Sequence, residues 1–370
     1  MQKYIKNKRE LFNKLPNPVW KRIKLDNFSF PQVIDYTRDY LKFENLPQGV
    51  KLNKITESID EINLDNLDIN DYTGVGEKFI ALSEGYFNSG ITLHLPKNTK
   101  AEEPLRLEFN MDDKNPVVID QNIIVAERDS NITVVFDYSS IENVNAFHNG
   151  ITKVYAKENS VVNIIKIQRM NDASYSFDSN IAFVNGNGKV NWICVEIGSS
   201  ICSSNFSTYL EGENSEANLS SIYLGDGTRK LDLGYSMIHK GRRSISNIET
   251  KGVLMDSSKK VFRGNLDFKK GARRSKGSEG EYVILLDPTV KSDSIPALLC
   301  EEDDVEGEHA ASAGQIDENK LFYLMSRGLS EREAKKLIIE AAFRPIVDKI
   351  PLEDLRETIN DQIERRLVNA

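Results

Sequence analysis

The sequence predicts a mainly β protein: a right-handed parallel β-helix over residues 75–314, between an N-terminal helical region (1–74) and a C-terminal one (315–370). Three observations lead there. Short β-branched runs (ITLHL, LRLEF, VVID, NIIVA, ITVVF, VVNIIKI, KVNWICVEI) fill residues 75 to 300, separated by Asn, Gly, Ser and Asp. A self-similar unit recurs: Ile132-Thr133, Val162-Asn163, Val190-Asn191, Ala217-Asn218 and Ile245-Ser246 each follow a polar turn (ERDSN, KENSV, NGNGK, EGENSE, KGRRS), at steps of 30, 28, 27 and 28 residues. Helical periodicity replaces this texture at both ends. A unit with one apolar edge cannot cover that edge alone, so stacking the units into a continuous core is the natural solution. An ordinary β-sandwich would want Asn-Gly hairpin turns at intervals nearer ten residues.

At the N-terminus, LPNPVWKRIKLDNF reads as a Pro-interrupted element, and FPQVIDYTRDYLKF and LNKITESIDEINLDNL as short amphipathic helices, with Trp20 packing the region onto the β-rich body. After Gln315, Asp317 to Met325 forms a helix closed at Arg327-Gly328. Ser330 and Glu333 make a capping box for a helix running to about Phe343, where Pro345 blocks continuation. Pro351 opens a last helix from about Leu352 to Val368, with Leu352, Leu355, Ile359, Ile363 and Leu367 on one stripe. That stripe must be buried, either on the β body or against a partner.

Composition excludes several classes. A net charge of -8 argues against nucleic-acid binding, and the basic clusters at Lys240–Arg243 and Lys269–Lys276 read as solvated turns. No apolar run approaches the roughly 20 residues that cross a bilayer, and MQKYIKNKRELF carries charges where a secretory segment would be apolar. A cytoplasmic protein with no membrane partner is expected. The three cysteines, Cys194, Cys202 and Cys300, suit a reducing compartment, and none forms a Cys-x-x-Cys pair. Any cluster held here would therefore need ligands from another chain. There is no GxxxxGK[ST], so hydrolysis of nucleotide by the P-loop route is not expected, and no GxSxG, HExxH or helix-opening GxGxxG occurs.

The titratable residues that remain are few. His309 follows Glu306-Gly307-Glu308, an imidazole beside carboxylates that suits a borderline metal, although a lone histidine also reads as a surface or packing residue. Cys300, nine residues upstream, is the nearest thiol in sequence. Beside Ala297-Leu298-Leu299 it also reads as a small buried hydrophobe. Cys194 and Cys202 read as structural, with relay of sulfur through a solenoid as the alternative. His239 reads as a turn residue and Gly264 as a tight corner, while His94 and His148 have no supporting context. The acidic run Glu301–Asp304 reads as a solvated face, lacking the spacing of a calcium loop.

The stretch CEEDDVEGEHAASAGQIDENKLFYLMSRGLSEREAKKLIIEAAF, from Cys300 to Phe343, resembles the C-terminal signature of the SufB/SufD proteins, scaffold components of the SUF iron-sulfur cluster assembly machinery. The resemblance implies a β-helix core. It also implies that His309 takes part in nascent cluster assembly where two related subunits meet. Glu308 matches the B-type proteins, where Glu-His occurs. B-type members carry an essential cysteine near SKGSEGEYVILL; this chain has none there, with Glu281 as its equivalent, so the D type is favoured. By the same resemblance the chain would share a transient Fe-S cluster, of the 4Fe-4S kind, with a SufB-type paralogue or with itself as a homodimer. Reduced flavin is a further cofactor that the family admits. A SufC-type ABC ATPase would dock on the C-terminal helices through Leu321, Phe322, Leu324, Arg327, Gly328, Leu329, Ala334, Leu337, Ile338, Ala341 and Phe343. The chain itself would be a non-catalytic scaffold. Two other readings stand beside this one. A carbohydrate-active β-helix enzyme would use clustered carboxylates and expects export, and an interaction solenoid would do no metal chemistry.

Overall fold

A computed structural model describes residues 2–20, 22, 23, 25, 28–32, 42–44, 46–57, 69 and 72–368. The chain opens with α1 (Gln2–Lys14), β1 (Lys42–Glu44), β2 (Lys51–Lys54) and α2 (Glu77–Gly85). The stacked strands come next: β3 (Ile91–Leu95), β4 (Leu105–Met111), β5 (Val117–Ala126), β6 (Asn131–Ser140), β7 (Phe147–Ala156), β8 (Val161–Arg169), β9 (Tyr175–Val184), β10 (Lys189–Glu196) and β11 (Ile201–Leu210). After these come β12 (Glu216–Gly225), β13 (Lys230–His239), β14 (Ile245–Leu254), β15 (Lys259–Phe268), β16 (Ser275–Leu285), β17 (Lys291–Ser294), β18 (Ala297–Cys300) and β19 (Val305–Gln315). Three helices end the chain: α3 (Glu318–Ser326), α4 (Glu331–Val347) and α5 (Glu353–Val368).

From β3 onward, strands alternate between two sheets, one ordered β4-β6-β8-β10-β12-β14-β16-β19 and the other β17-β15-β13-β11-β9-β7-β5-β3, all in parallel register. The result is a parallel β-solenoid of about eight turns. It stands because each polar turn places a residue in the left-handed conformation at the same point of successive coils: Asp129, Asn159, Asn187, Asn214 and Arg243 all have φ between 53° and 61°. Asn and Asp tolerate that conformation best among residues with a Cβ. Four of the five predicted repeat positions coincide with the register Ile132↔Val162↔Val190↔Ala217. The fifth does not: Ser246, not Ile245, pairs with Ala217, a step of 29 residues. Ile245 is exposed on the outside of its coil. The second residue of each unit builds a side-chain ladder up the outer face, where Asn163 donates to Thr133 (3.0 Å), Asn191 to Asn163 (2.7 Å) and Asn218 to Asn191 (3.0 Å).

Every second side chain enters the lumen, which is filled by residues such as Ile132, Phe136, Trp192, Phe206, Leu219, Tyr235 and Phe262. Two outer faces are also covered. On the odd-numbered sheet, Trp20, Phe28 and Phe30 pack with Phe79 of α2 on Phe147 and Phe177. Trp20 lies 5.8 Å from each of Phe79 and Phe177 between ring centroids, the docking role expected of it. On the even-numbered sheet, Ile339, Phe343, Ile346 and Val347 of α4 and Leu355, Ile359, Ile363 and Leu367 of α5 cover Ile165, Val195, Ile222 and Val253. The α5 stripe therefore docks on the β body. These double-covered strands lose the in/out alternation of burial: 164–168 of β8 and 192–196 of β10 are buried without a break.

Three sequence expectations change. LNKITESIDEINLDNL begins as strand β2, antiparallel to β3, where a helix was predicted; its residues 58–67 lie outside the described residues, as do 33–41 of FPQVIDYTRDYLKF. LPNPVWKRIKLDNF forms neither helix nor strand in its described residues. Pro345 does not stop α4, which continues to Val347, with Asp348 N–H bonded to Arg344 C=O at 2.9 Å. An interior proline costs about 3 kcal/mol. Full burial of Ile346, Val347 and Ile350 on the sheet, worth about 1.5–3 kcal/mol per side chain, offsets it.

Candidate functional site

Among the described residues nothing caps the last coil of the solenoid. Strand β19 pairs with β16, and no strand among the described residues takes its other edge. Residues Glu308 to Gln315 are exposed along their whole length. Such an edge offers a row of free N–H and C=O groups to another chain.

His309 lies on this strand, exposed, in register with Glu279 of β16. Because strand side chains alternate, His309 shares the lumen side with Glu279, while Glu308 shares the outer side with Ser278, whose hydroxyl extends the polar ladder to Asn247 at 2.7 Å. The Glu-His pair of the sequence is thus divided between two faces, and Glu308 cannot join His309 on one ion. Cys300 is exposed and in register with the lumen residue Phe268, so it too sits on the inner side of the open coil. Beside it Leu298 crosses toward Gly307, where an added Cβ would lie 2.6 Å from its Cδ1. Among the described residues no three His, Cys, Asp or Glu side chains converge to hold a metal ion. This chain alone presents at most a partial ligand set.

Beneath His309 the lumen turns polar. The Lys260 ammonium and Glu281 carboxylate, both fully buried, pair at 2.6 Å, with Tyr223 donating to Glu281 at 2.9 Å and Lys260 donating to Ser294 Oγ at 3.0 Å. Burial pulls the Lys260 pKa down, against the pull of Glu281. Glu281 is therefore committed to a buried ion pair. Glu279 is different: the residue is 4% exposed and neither carboxylate oxygen has a hydrogen-bond partner. Burial first, then the neighbouring Glu281 charge, pushes its pKa up to about 7. Its carboxylate leans over Gly264, where an added Cβ would meet Glu279 Cδ at 2.7 Å. Gly264 is thus no tight corner; it lies mid-strand in β15 and leaves room for that side chain.

Other residues also land differently from their sequence reading. His239 is a core residue: fully buried, stacked on Phe268 at 4.5 Å, and bonded to Ser244 and Ser246 at 2.7 and 2.8 Å. His148, for which the sequence offered no context, joins Asp120 (2.9 Å) and Ser176 (3.0 Å) inside the lumen. All three are sealed from solvent, so this array is a packing element and not a nucleophile. Asp120, His148 and Ser176 recur at steps of 28 residues, the spacing of the repeat itself, and the stacking of coils brings them together. Cys194 and Cys202 are buried and donate to the two oxygens of Glu196 at 3.2 and 2.9 Å, with burial, then the Glu196 charge, raising both thiol pKa values.

The C-terminal helices carry the second predicted surface. Asp317 caps α3, Gly328 closes it at φ 101°, and the Ser330–Glu333 capping box starts α4. No residue of α3 is buried: Phe322 is 74% exposed, and Arg327 lies over the Tyr323 ring at 5.2 Å. Leu321, Leu324, Leu329 and Ile338 are half-buried, and Gly328, Leu337 and Ala341 are exposed. Ala334 and Phe343, assigned to this surface from sequence, are buried, Phe343 against the solenoid. They support the surface from below.

The domain described as SUF system FeS cluster assembly, SufBD core domain, matches residues 109–342, a span that includes Glu279, Glu281, Cys300, His309 and α3. The chain is 28% identical over 292 residues to the iron-sulfur cluster assembly protein SufD of Bacillus subtilis, covering 78% of this chain and 67% of that protein. It is 27% identical over 277 residues to SufBD family proteins of Staphylococcus epidermidis and Staphylococcus haemolyticus, covering 75% of this chain and 60% of each of theirs. The alignments thus span 60 to 67% of these relatives' length. No helix among the described residues is long and apolar enough to cross a membrane. With a matching core domain over more than half its length, on a parallel β-solenoid, the chain belongs to the SufBD family of iron-sulfur cluster assembly proteins.

Proposed function

We propose that this protein is a SufD-like scaffold subunit that builds and transfers nascent iron-sulfur clusters jointly with a SufB-type paralogue. The observation that carries the reading is the open last coil, where His309 stands on an unpaired strand edge with too few ligands among the described residues to hold a whole cluster. A second polypeptide pairing along β19 would supply the rest, and a 4Fe-4S cluster would form at that seam as cargo. Glu308, facing the outer side, would meet the partner's backbone or side chains, and Cys300 would lie on the inner side of the seam. The chain does no ATP chemistry. That belongs to a SufC-type ABC ATPase docked on Phe322, Leu337 and their neighbours in α3 and α4, so the helical region from 315 acts as the ATPase-docking unit and 75–314 as the scaffold. The same edge suits self-pairing, which makes a homodimer the second reading. Reduced flavin, as electron donor, would bind in the assembled complex, and the site of action is the cytoplasm.

The experiment is anaerobic co-expression of the full chain with a SufB-type and a SufC-type protein, followed by affinity capture and by iron and sulfide analysis. Recovery of a complex with visible Fe-S absorption supports the proposal. Failure to capture either protein contradicts it.

A further inference from the structure

Among the described buried groups of the lumen, Glu279 alone combines near-complete burial with two unpartnered carboxylate oxygens at the open end of the coil stack. Its neighbours are satisfied: Glu281 holds Lys260 and Tyr223, and Glu196 holds two thiols. A buried carboxylate without a donor is costly, and such a group calls for an explanation in terms of an absent proton, ion or ligand. The location supplies one. Glu279 and His309 are register partners on adjacent parallel strands, on the same side of the sheet, with backbones about 4.8 Å apart. Gly264 opposite leaves the carboxylate its space, and no hydrogen bond ties either oxygen down.

We propose that Glu279 is the second ligand this chain contributes at its open end: with His309 it forms an imidazole-carboxylate half-site for a borderline divalent cation of the ferrous class. One nitrogen and one oxygen donor suit such an ion, and its remaining positions would go to water in the isolated chain and to partner groups in a complex. The oxygen donor comes from the strand below and not from the adjacent Glu308, which faces outward. The inference rests on the reading of His309 as the cluster-assembly residue, and it adds that the ion is received from the lumen side.

The test is anaerobic titration of the isolated, metal-free full chain with Co2+, read by its visible ligand-field bands and by calorimetry. The wild type is expected to take one Co2+ per chain, and H309A to abolish that binding. E279Q, nearly isosteric, is expected to weaken it about tenfold or more, whereas E308Q leaves it unchanged. Thermal unfolding of each variant checks that the fold is retained. If E279Q binds as the wild type does while H309A does not, the proposal is overturned, and the role of His309 in assembly stands. A loss in E308Q equal to that in H309A, or no stoichiometric binding by the wild type, also overturns it. Co-expression with the SufB-type protein is scored separately, so failure of that assembly and failure of this half-site are told apart.

Discussion

Acid should unfasten this protein at His239. The ring is buried in the lumen between Ser244, Ser246 and Phe268, with no carboxylate among its hydrogen-bond partners, and burial alone holds its pKa at about 4 against 6.5 in an exposed chain. Between those values the unfolded chain binds a proton that the folded chain refuses, so stability is complete above about pH 6.5 and is lost as pH falls toward 4. At about 1.4 kcal/mol per pH unit, the loss attributable to this one side chain is about 3 kcal/mol. Other groups titrate in the same range, so the readout is the difference between wild type and H239Q. Urea unfolding followed by the fluorescence of Trp192, which is buried in the same lumen, measures it. At pH 8 the variant should be the less stable, because it loses the ring stack on Phe268, worth about 0.5–1.5 kcal/mol beyond its buried area. By pH 4.5 the difference should vanish or reverse. A gap that stays constant from pH 8 to pH 4.5 would refute the argument.

Breaking the Lys260–Glu281 pair by K260M strands a buried carboxylate and should cost about 3–5 kcal/mol; hydrogen exchange should show the loss concentrated in β14 to β19, with K260M/E281Q recovering part of it. Ile359→Ala on α5 should cost about 2–5 kcal/mol and raise dye binding to the uncovered outer face around Val195 and Ile222, whereas a change of similar size at exposed Leu337 should alter stability by less than about 0.5 kcal/mol. In the native protein a thiol reagent should modify Cys300 alone, because Cys194 and Cys202 are buried with raised pKa values; all three should react in urea.

The solenoid was legible because its coils repeat a local instruction, a left-handed polar turn followed by an apolar lumen residue and a ladder residue, as at Asn159, Val162 and Asn163. The reading slipped by one at Ile245, where the motif continues with Ser246 in the lumen and an apolar side chain on the outside. Helix caps at Asp317 and Ser330 were legible for the same reason: a few adjacent residues decide them. Contacts made across coils escaped. Glu279, and His148 with Asp120, are neighbours only through register or across the lumen, at sequence separations set by turn lengths, whereas Cys194 and Cys202 lie two and six residues from the Glu196 they share. Pro345 misled because tertiary burial outweighed a local rule. The adjacency of Glu308 and His309 misled because a strand sends neighbours to opposite faces.

The central claim, that His309 at the open coil is half of a site completed by a second chain, is tested most directly by anaerobic co-purification of the wild type and H309A with a SufB-type partner, measuring iron and sulfide per complex. The account predicts that both form the complex through β19 and that H309A leaves it without cluster. Cluster content equal in the two complexes would contradict it.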